Sequence, residues 1–371
     1  MQAATAASTI ARLAVAWAAV LLSKLAGPQL LGGFGFTAGP ILLFLALLAL
    51  IVWCAFGVVE QAERLAHLLG EPLGTLVLTL AIVTIEVALI AAVMLGAQAA
   101  PTLGRDTMFA VLMIVLNGAI GLALLLGGLR HREQAYNLQG AAAYLAIIIP
   151  LSVIALVLPN FTVATPDQTL STGQAAAFSM LTVLLYGVFL AVQTVRHREF
   201  FVEPRDSAAK VADGVAPPRA IGRLARHAGL LLALLVPILL LAKPLAELVD
   251  HGLRALAAPP ALGGVLIALI VFTPEAMAAL RAALANQLQR SVNLCLGAAA
   301  STIGLTVPAV LVVGLLTGQR VVLGVDPADM VLLALTLILS VVTFGGARTT
   351  VLEGAVHLVL FLVYLVLIFS P

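Results

Sequence analysis

The sequence predicts an all-α polytopic membrane protein of about eleven transmembrane helices, and three observations predict it. Of 371 residues, 62% are hydrophobic and only 10% charged, with a mean hydropathy of +1.16; a soluble domain of this size needs charged surface that is absent here. Apolar runs of membrane-spanning length recur along the chain, separated by Gly, Pro and charged residues. Two of these runs, 76–95 and 264–280, each hold one acid near the middle, Glu86 and Glu275.

In order, the runs fall at about 8–26, 38–59, 73–98, 106–129, 138–158, 173–195, 228–248, 262–285, 290–317, 327–345 and 354–370. Gly70-Glu71-Pro72, Pro101, Gly127-Gly128, Pro166, Pro217-Pro218, Pro259-Pro260 and Asp326-Pro327 punctuate them. The first run has Arg12 before it and Lys24 near its end, with no clear cleavage site after it, so it reads as a helix rather than a cleaved signal peptide. Cys54 and Cys295 sit in apolar segments and read as core residues. A net charge of +2 gives no electrostatic footprint for nucleic acid. The partners are then membrane lipid, inorganic cations and protons.

Orientation follows the distribution of Lys and Arg. With loops assigned alternately to two sides, the N-terminal side holds fourteen and the other side five. The expectation is a cytoplasmic N-terminus and an outward C-terminus, with no transit peptide, as for a bacterial inner membrane. The loop 196–227 is then cytoplasmic and reads as a solvated linker, a regulatory role being the minority reading.

Gly74 lies twelve residues before Glu86 and Gln98 twelve after. At ~1.5 Å per helical residue each end is ~18 Å away, beyond the reach of a snorkelling side chain. An ionisable group at that depth costs about 3 kcal/mol or more and marks a functional site. Glu275 repeats the arrangement at an offset of 189, which aligns Gly74 with Gly263 and Thr84-Ile85-Glu86 with Thr273-Pro274-Glu275. Five crossings separate the two acids, so their helices traverse the bilayer in opposite directions, as in the inverted repeats of secondary transporters. The next run of each repeat carries mid-helix polar residues, Asn117 in one and Ser301 and Thr302 in the other.

Gly70 to Leu80 running into Thr84-Ile85-Glu86 resembles the first repeat of Cha-type bacterial calcium/proton antiporters. Ala100 to Thr107, Tyr186 to Leu190 with Gln193-Thr194, Pro274-Glu275 followed by Asn286 to Arg290, and Leu305 to Pro308 resemble the same family. It lies within the cation/calcium exchanger superfamily. The resemblance spans about residues 40–370. It implies a sodium/calcium exchanger-like fold: an N-terminal helix and linker over 1–37, repeats of five helices over 38–195 and 228–371, and the loop 196–227 between them. It also implies cation export driven by inward proton flow, with the two repeat glutamates as the site. Many members carry Gly-Asn just before the acid; here Val83 and Phe272 stand there, which removes a potential amide ligand.

Calcium takes six to eight oxygen ligands. Glu86 and Glu275 are the expected metal and proton ligands, with Thr84, Thr273, Asn117, Ser301 and Thr302 as supporting oxygens. Pro274 deletes a backbone donor and leaves a carbonyl near residue 270 open to a cation. Each polar residue also has a packing reading: Thr84 and Thr273 bonded back to their own helices, Asn117 and Ser301 joining helices. Glu353 and His357, one turn apart, read either as an interface pair or as a proton relay. The leading expectation is Ca²⁺/H⁺ exchange without an organic cofactor. Na⁺ or K⁺/H⁺ exchange on the same scaffold is the rival, and a passive channel is the alternative of another class. A membrane enzyme is disfavoured because the six histidines are scattered.

Overall fold

A computed structural model describes residues 2–32, 38–70, 73–94, 101–165, 169–203, 220–259 and 261–370. The predicted turns at Glu71-Pro72, Pro166, Pro217-Pro218 and Pro260, residues 204–219 of the loop 196–227, and the end of the third run at Leu95–Gln98 lie outside them. Almost every described residue of the apolar runs is helical, because hydrocarbon offers no partner to an open backbone group.

The helices are α1 (Gln2–Gly32), α2 (Ala38–Leu69), α3 (Leu73–Met94), α4 (Leu103–His131), α5 (Leu138–Phe161), α6 (Thr172–Arg196), α7 (Ala220–Ala255), α8 (Ala261–Leu284), α9 (Leu288–Thr317), α10 (Pro327–Thr343) and α11 (Val351–Phe369). Nine are long and apolar enough to cross a membrane over their described residues; α3 and α10 contribute the shorter apolar stretches Thr79–Ala92 and Pro327–Thr343. α7 begins at Ala220, so the last eight residues of the predicted 196–227 loop are helical. Local chemistry sets several starts. Asn137 caps α5 by accepting from Gln139 and Gly140, and Ser171 with Gln174, then Thr350 with Glu353, form capping boxes for α6 and α11. Gly318, at φ 68°, closes α9 in the left-handed conformation that glycine adopts without strain.

The chain divides into two compact units, Met1–Ala100 with Gly214–Gly263, and Pro101–Asp213 with Gly264–Pro371. In the first, α2 runs antiparallel to α7: His227 Nδ1 bonds Gln61 Oε1 at 2.8 Å, and Gly57, a turn earlier in α2, faces Leu234, two turns later in α7. α1 is pinned to α2 by Arg12–Glu60 at 3.0 Å and to α7 by Trp17 Nε1 donating to the Ala233 carbonyl at 3.2 Å.

In the second unit α4 is the central element, with Met113, Val115 and Asn117 fully buried. Its start meets the end of α9, Gly104 lying against Val310, so these repeat-equivalent helices run antiparallel. The same holds for α5 and α10: Val325 just before α10 donates to Leu156 near the end of α5, while Tyr136 just before α5 donates to Gly346 just after α10. With α2 and α7, three equivalent pairs are inverted, the architecture of two opposed five-helix repeats. The repeats also interlock. α11 of the second packs along α4 of the first through Gly118–Phe361, Gly121–Leu358 and Gly128–Val351, and α6 of the first packs on α9 of the second, where Tyr186 covers Gly304.

The connections of this unit collect on two faces. One joins β1 (Gln134–Ala135) to β2 (Arg348–Thr349) as a short antiparallel ladder, with Glu133–Arg348 at 2.9 Å, Asn137 N to Gln289 Oε1 at 2.6 Å and Asn293 Nδ2 to the Phe201 carbonyl at 2.6 Å. The other joins Pro101 to Val322 and Arg105 to the Gly324 carbonyl at 2.8 Å. This division groups the loops of the second unit as alternate crossing requires.

Candidate functional site

α8 places Glu275. Its start lies against the start of α4, where a Cβ on Gly264 would sit 2.7 Å from the Thr107 nitrogen. Its end lies against the end of α4, with His131 Nε2 3.0 Å from the Leu284 carbonyl and Gln134 Nε2 2.8 Å from that of Ala283. Glu275 therefore sits eleven residues from one anchored end and nine from the other, ~16 and ~13 Å along the axis. It is 5% exposed, and the fully buried Cys295 of α9 lies within its electrostatic reach. Pro274 supplies no N–H to the Ile270 carbonyl, while Thr273 Oγ1 donates to the Leu269 carbonyl at 2.5 Å. In the other unit, Glu86 is central in α3 and 2% exposed. Thr84 Oγ1 donates to the Leu80 carbonyl at 2.6 Å, the same back-bond at the equivalent position.

The π turns repeat as well. α4 widens into a π segment at Met113–Ala119, and α9 does so at Thr302–Thr306. The offset of 189 that aligns the acids takes Met113 onto Thr302, the first residue of each segment, and takes the fully buried Asn117 onto the fully buried Thr306. Two further π segments, Val153–Val157 in α5 and Val192–Arg196 in α6, lie outside this correspondence.

The chain is matched by the sodium/calcium exchanger protein family over residues 39–195 and 226–370. It belongs to that family. Among its relatives, the putative ionic transporter y4hA of Sinorhizobium fredii is 43% identical, with 89% of each chain covered. The Escherichia coli sodium-potassium/proton antiporter ChaA is 41% identical, over 89% of this chain and 90% of that one. The Ca²⁺/H⁺ antiporter of Aphanothece halophytica is 25% identical, over 86% and 87%. Two solved structures share the fold: YfkE, with TM-score 0.72 at 15% identity over 97% of this chain and all of the other, and the H⁺/Ca²⁺ exchanger CAX, with TM-score 0.66 at 14% identity over 96% and 88%.

Asn117 belongs to a buried cluster. Its Nδ2 donates to Thr336 Oγ1 of α10 at 2.8 Å, and its Oδ1 is 3.0 Å from His357 Nδ1 of α11. His357 Nε2 is 3.0 Å from Thr343 Oγ1. Ser301 donates to the Ala298 carbonyl at 3.0 Å, and Thr302 is 3% exposed. Glu353 and His357 do not form the pair their spacing suggests. Glu353 accepts from the Thr350 nitrogen and hydroxyl as the capping-box acid, while His357 turns inward to Asn117, because a free helix start competes for the carboxylate and wins. The sequence alone picks out Thr306 only within the Leu305–Pro308 match; the 189 offset extended from the acids pairs it with Asn117. Among the described residues no three His, Cys, Asp or Glu side chains gather into a metal cluster.

Proposed function

We propose that the chain is a secondary active cation/proton antiporter in which Glu86 and Glu275 bind cation or proton competitively. The observation that carries this is the recurrence of a buried carboxylate, mid-helix, at equivalent positions of two opposed repeats. A carboxylate in a low-dielectric setting is costly when bare, and a proton or a cation relieves that cost equally. Translocation is then favourable only with the carboxylates occupied, which is the requirement for obligatory exchange. Thr84, Thr273, Asn117, Ser301 and Thr302 are supporting oxygens in this reading, and Pro274 frees the Ile270 carbonyl.

The cation is Ca²⁺ in the first instance. Two carboxylates neutralise one divalent ion or two protons, so each exchange leaves the buried charge balanced, whereas a monovalent ion leaves one carboxylate needing its own proton. Na⁺ or K⁺ is the second reading, favoured by the 41% identity to a protein named as a sodium-potassium/proton antiporter. The distribution of basic residues favours a cytoplasmic N-terminus, and the bacterial relatives favour an inner membrane.

The test is proton-dequenching in everted vesicles with Ca²⁺, Na⁺, K⁺ and Mg²⁺ added in turn across pH. Glu86→Gln and Glu275→Gln each abolish cation-driven proton movement. Substantial exchange retained by both variants would overturn the reading, and the ion giving the lowest half-saturation decides between Ca²⁺ and the monovalent ions.

A further inference from the structure

The buried cluster on α4 has a direction. The Asn117 amide nitrogen donates to Thr336, which turns its carbonyl oxygen towards His357. An oxygen only accepts, so Nδ1 carries the proton in the neutral ring, and Nε2 accepts from the Thr343 hydroxyl. Asn117 itself lies inside the π segment Met113–Ala119. His357 is fully buried, and close glycine contacts press its helix onto α4, Gly354 lying against the Gly121 carbonyl and the Leu125 backbone. One imidazole thus holds the side chain at the centre of the wide turn.

We infer that His357 is a positioning residue for transport: through Asn117 it fixes the π turn of α4 in one register and holds the Asn117 amide in one orientation, its oxygen keeping a second lone pair. This rests on the antiporter reading, in which Asn117 supplies a supporting oxygen. The role needs a ring with a donor at one nitrogen and an acceptor at the other; it does not need the ring to titrate. Residues that orient a ligand, when removed, typically cost about 10- to 100-fold in ion affinity.

The experiment compares His357→Leu with His357→Gln, whose amide offers a donor and an acceptor and no titrating proton. Wild type and Glu275→Gln are assayed in the same vesicles. His357→Leu raises the cation half-saturation about tenfold or more with maximal rate nearly kept, and His357→Gln restores most of it. Hydrogen exchange of the 113–119 amides on the purified protein speeds up in His357→Leu and returns towards wild type in His357→Gln. Asn117→Ala combined with His357→Leu is no worse than the poorer single variant. A Gln variant as impaired as Leu in both readouts overturns the inference in favour of a titrating role. Unchanged half-saturation in folded His357→Leu overturns it in favour of simple packing. If instead Glu275→Gln still exchanges, the antiporter reading fails, and the transport role of His357 falls with it even where hydrogen exchange responds as expected.

Discussion

Thr84 and Thr273 each sit two positions before a buried glutamate, and each donates its hydroxyl to the carbonyl four residues back. Those protons are committed to the helix's own backbone, and Thr84 is exposed where Glu86 is buried, as i,i+2 spacing on a helix requires. The burial of the two glutamates was legible in the sequence, since an acid ~18 Å from the ends of an apolar run cannot reach water. The role of Glu353 was not, because i,i+4 spacing to His357 mimics a pair, whereas the carboxylate is spent on the start of α11. Glu353→Ala is therefore expected to leave the cation half-saturation unchanged while lowering stability by about 1 kcal/mol through loss of the cap, read as a drop in thermal midpoint. A relay role for Glu353 would instead depress the exchange rate with the midpoint unmoved.

At the scale of elements, the helices were legible from hydropathy, but their irregularities were not. The π segments at Met113–Ala119 and Thr302–Thr306 lie in sequences that read as uniform apolar helix, and only register between repeats reveals them. Pro274 was legible, because proline removes a donor wherever it stands. Pro274→Ala returns an N–H to the Ile270 carbonyl; the expected outcome is a higher thermal midpoint with weaker exchange, measured on the same preparation. The α4–α11 seam rests on glycine. A Cβ on Gly354 would lie 2.8 Å from the Gly121 carbonyl, whereas one on Gly187 in α6 meets nothing within 4 Å. Gly354→Ala is expected to cost about 1–3 kcal/mol of stability by overpacking. Gly187→Ala serves as the near-neutral control in the same denaturation series.

For the whole molecule, the offset of 189 and the odd number of intervening crossings foretold inversion, and the antiparallel pairs α2–α7, α4–α9 and α5–α10 realise it. The interlocking was beyond a sequence reading, since apolar faces in a bilayer do not announce their partners. Alternate loops of the second unit gather on two faces, so impermeant labels separate them: a cysteine replacing Arg132 or Arg348 is expected to react from the cytoplasmic side and one replacing Arg320 from the opposite side. Both native cysteines are buried and give little background. Reaction of positions 132 and 320 from the same side would refute the alternate crossing. The seam between α4 and α11 also carries a consequence for biogenesis. Gly128 leaves the ribosome more than 200 residues before Val351, its eventual neighbour. At about 5–20 residues per second, α4 waits roughly 10–45 s in the bilayer with its glycine stripe facing lipid or a chaperone. The centre of the second unit is thus the first part of it to be made and among the last to close.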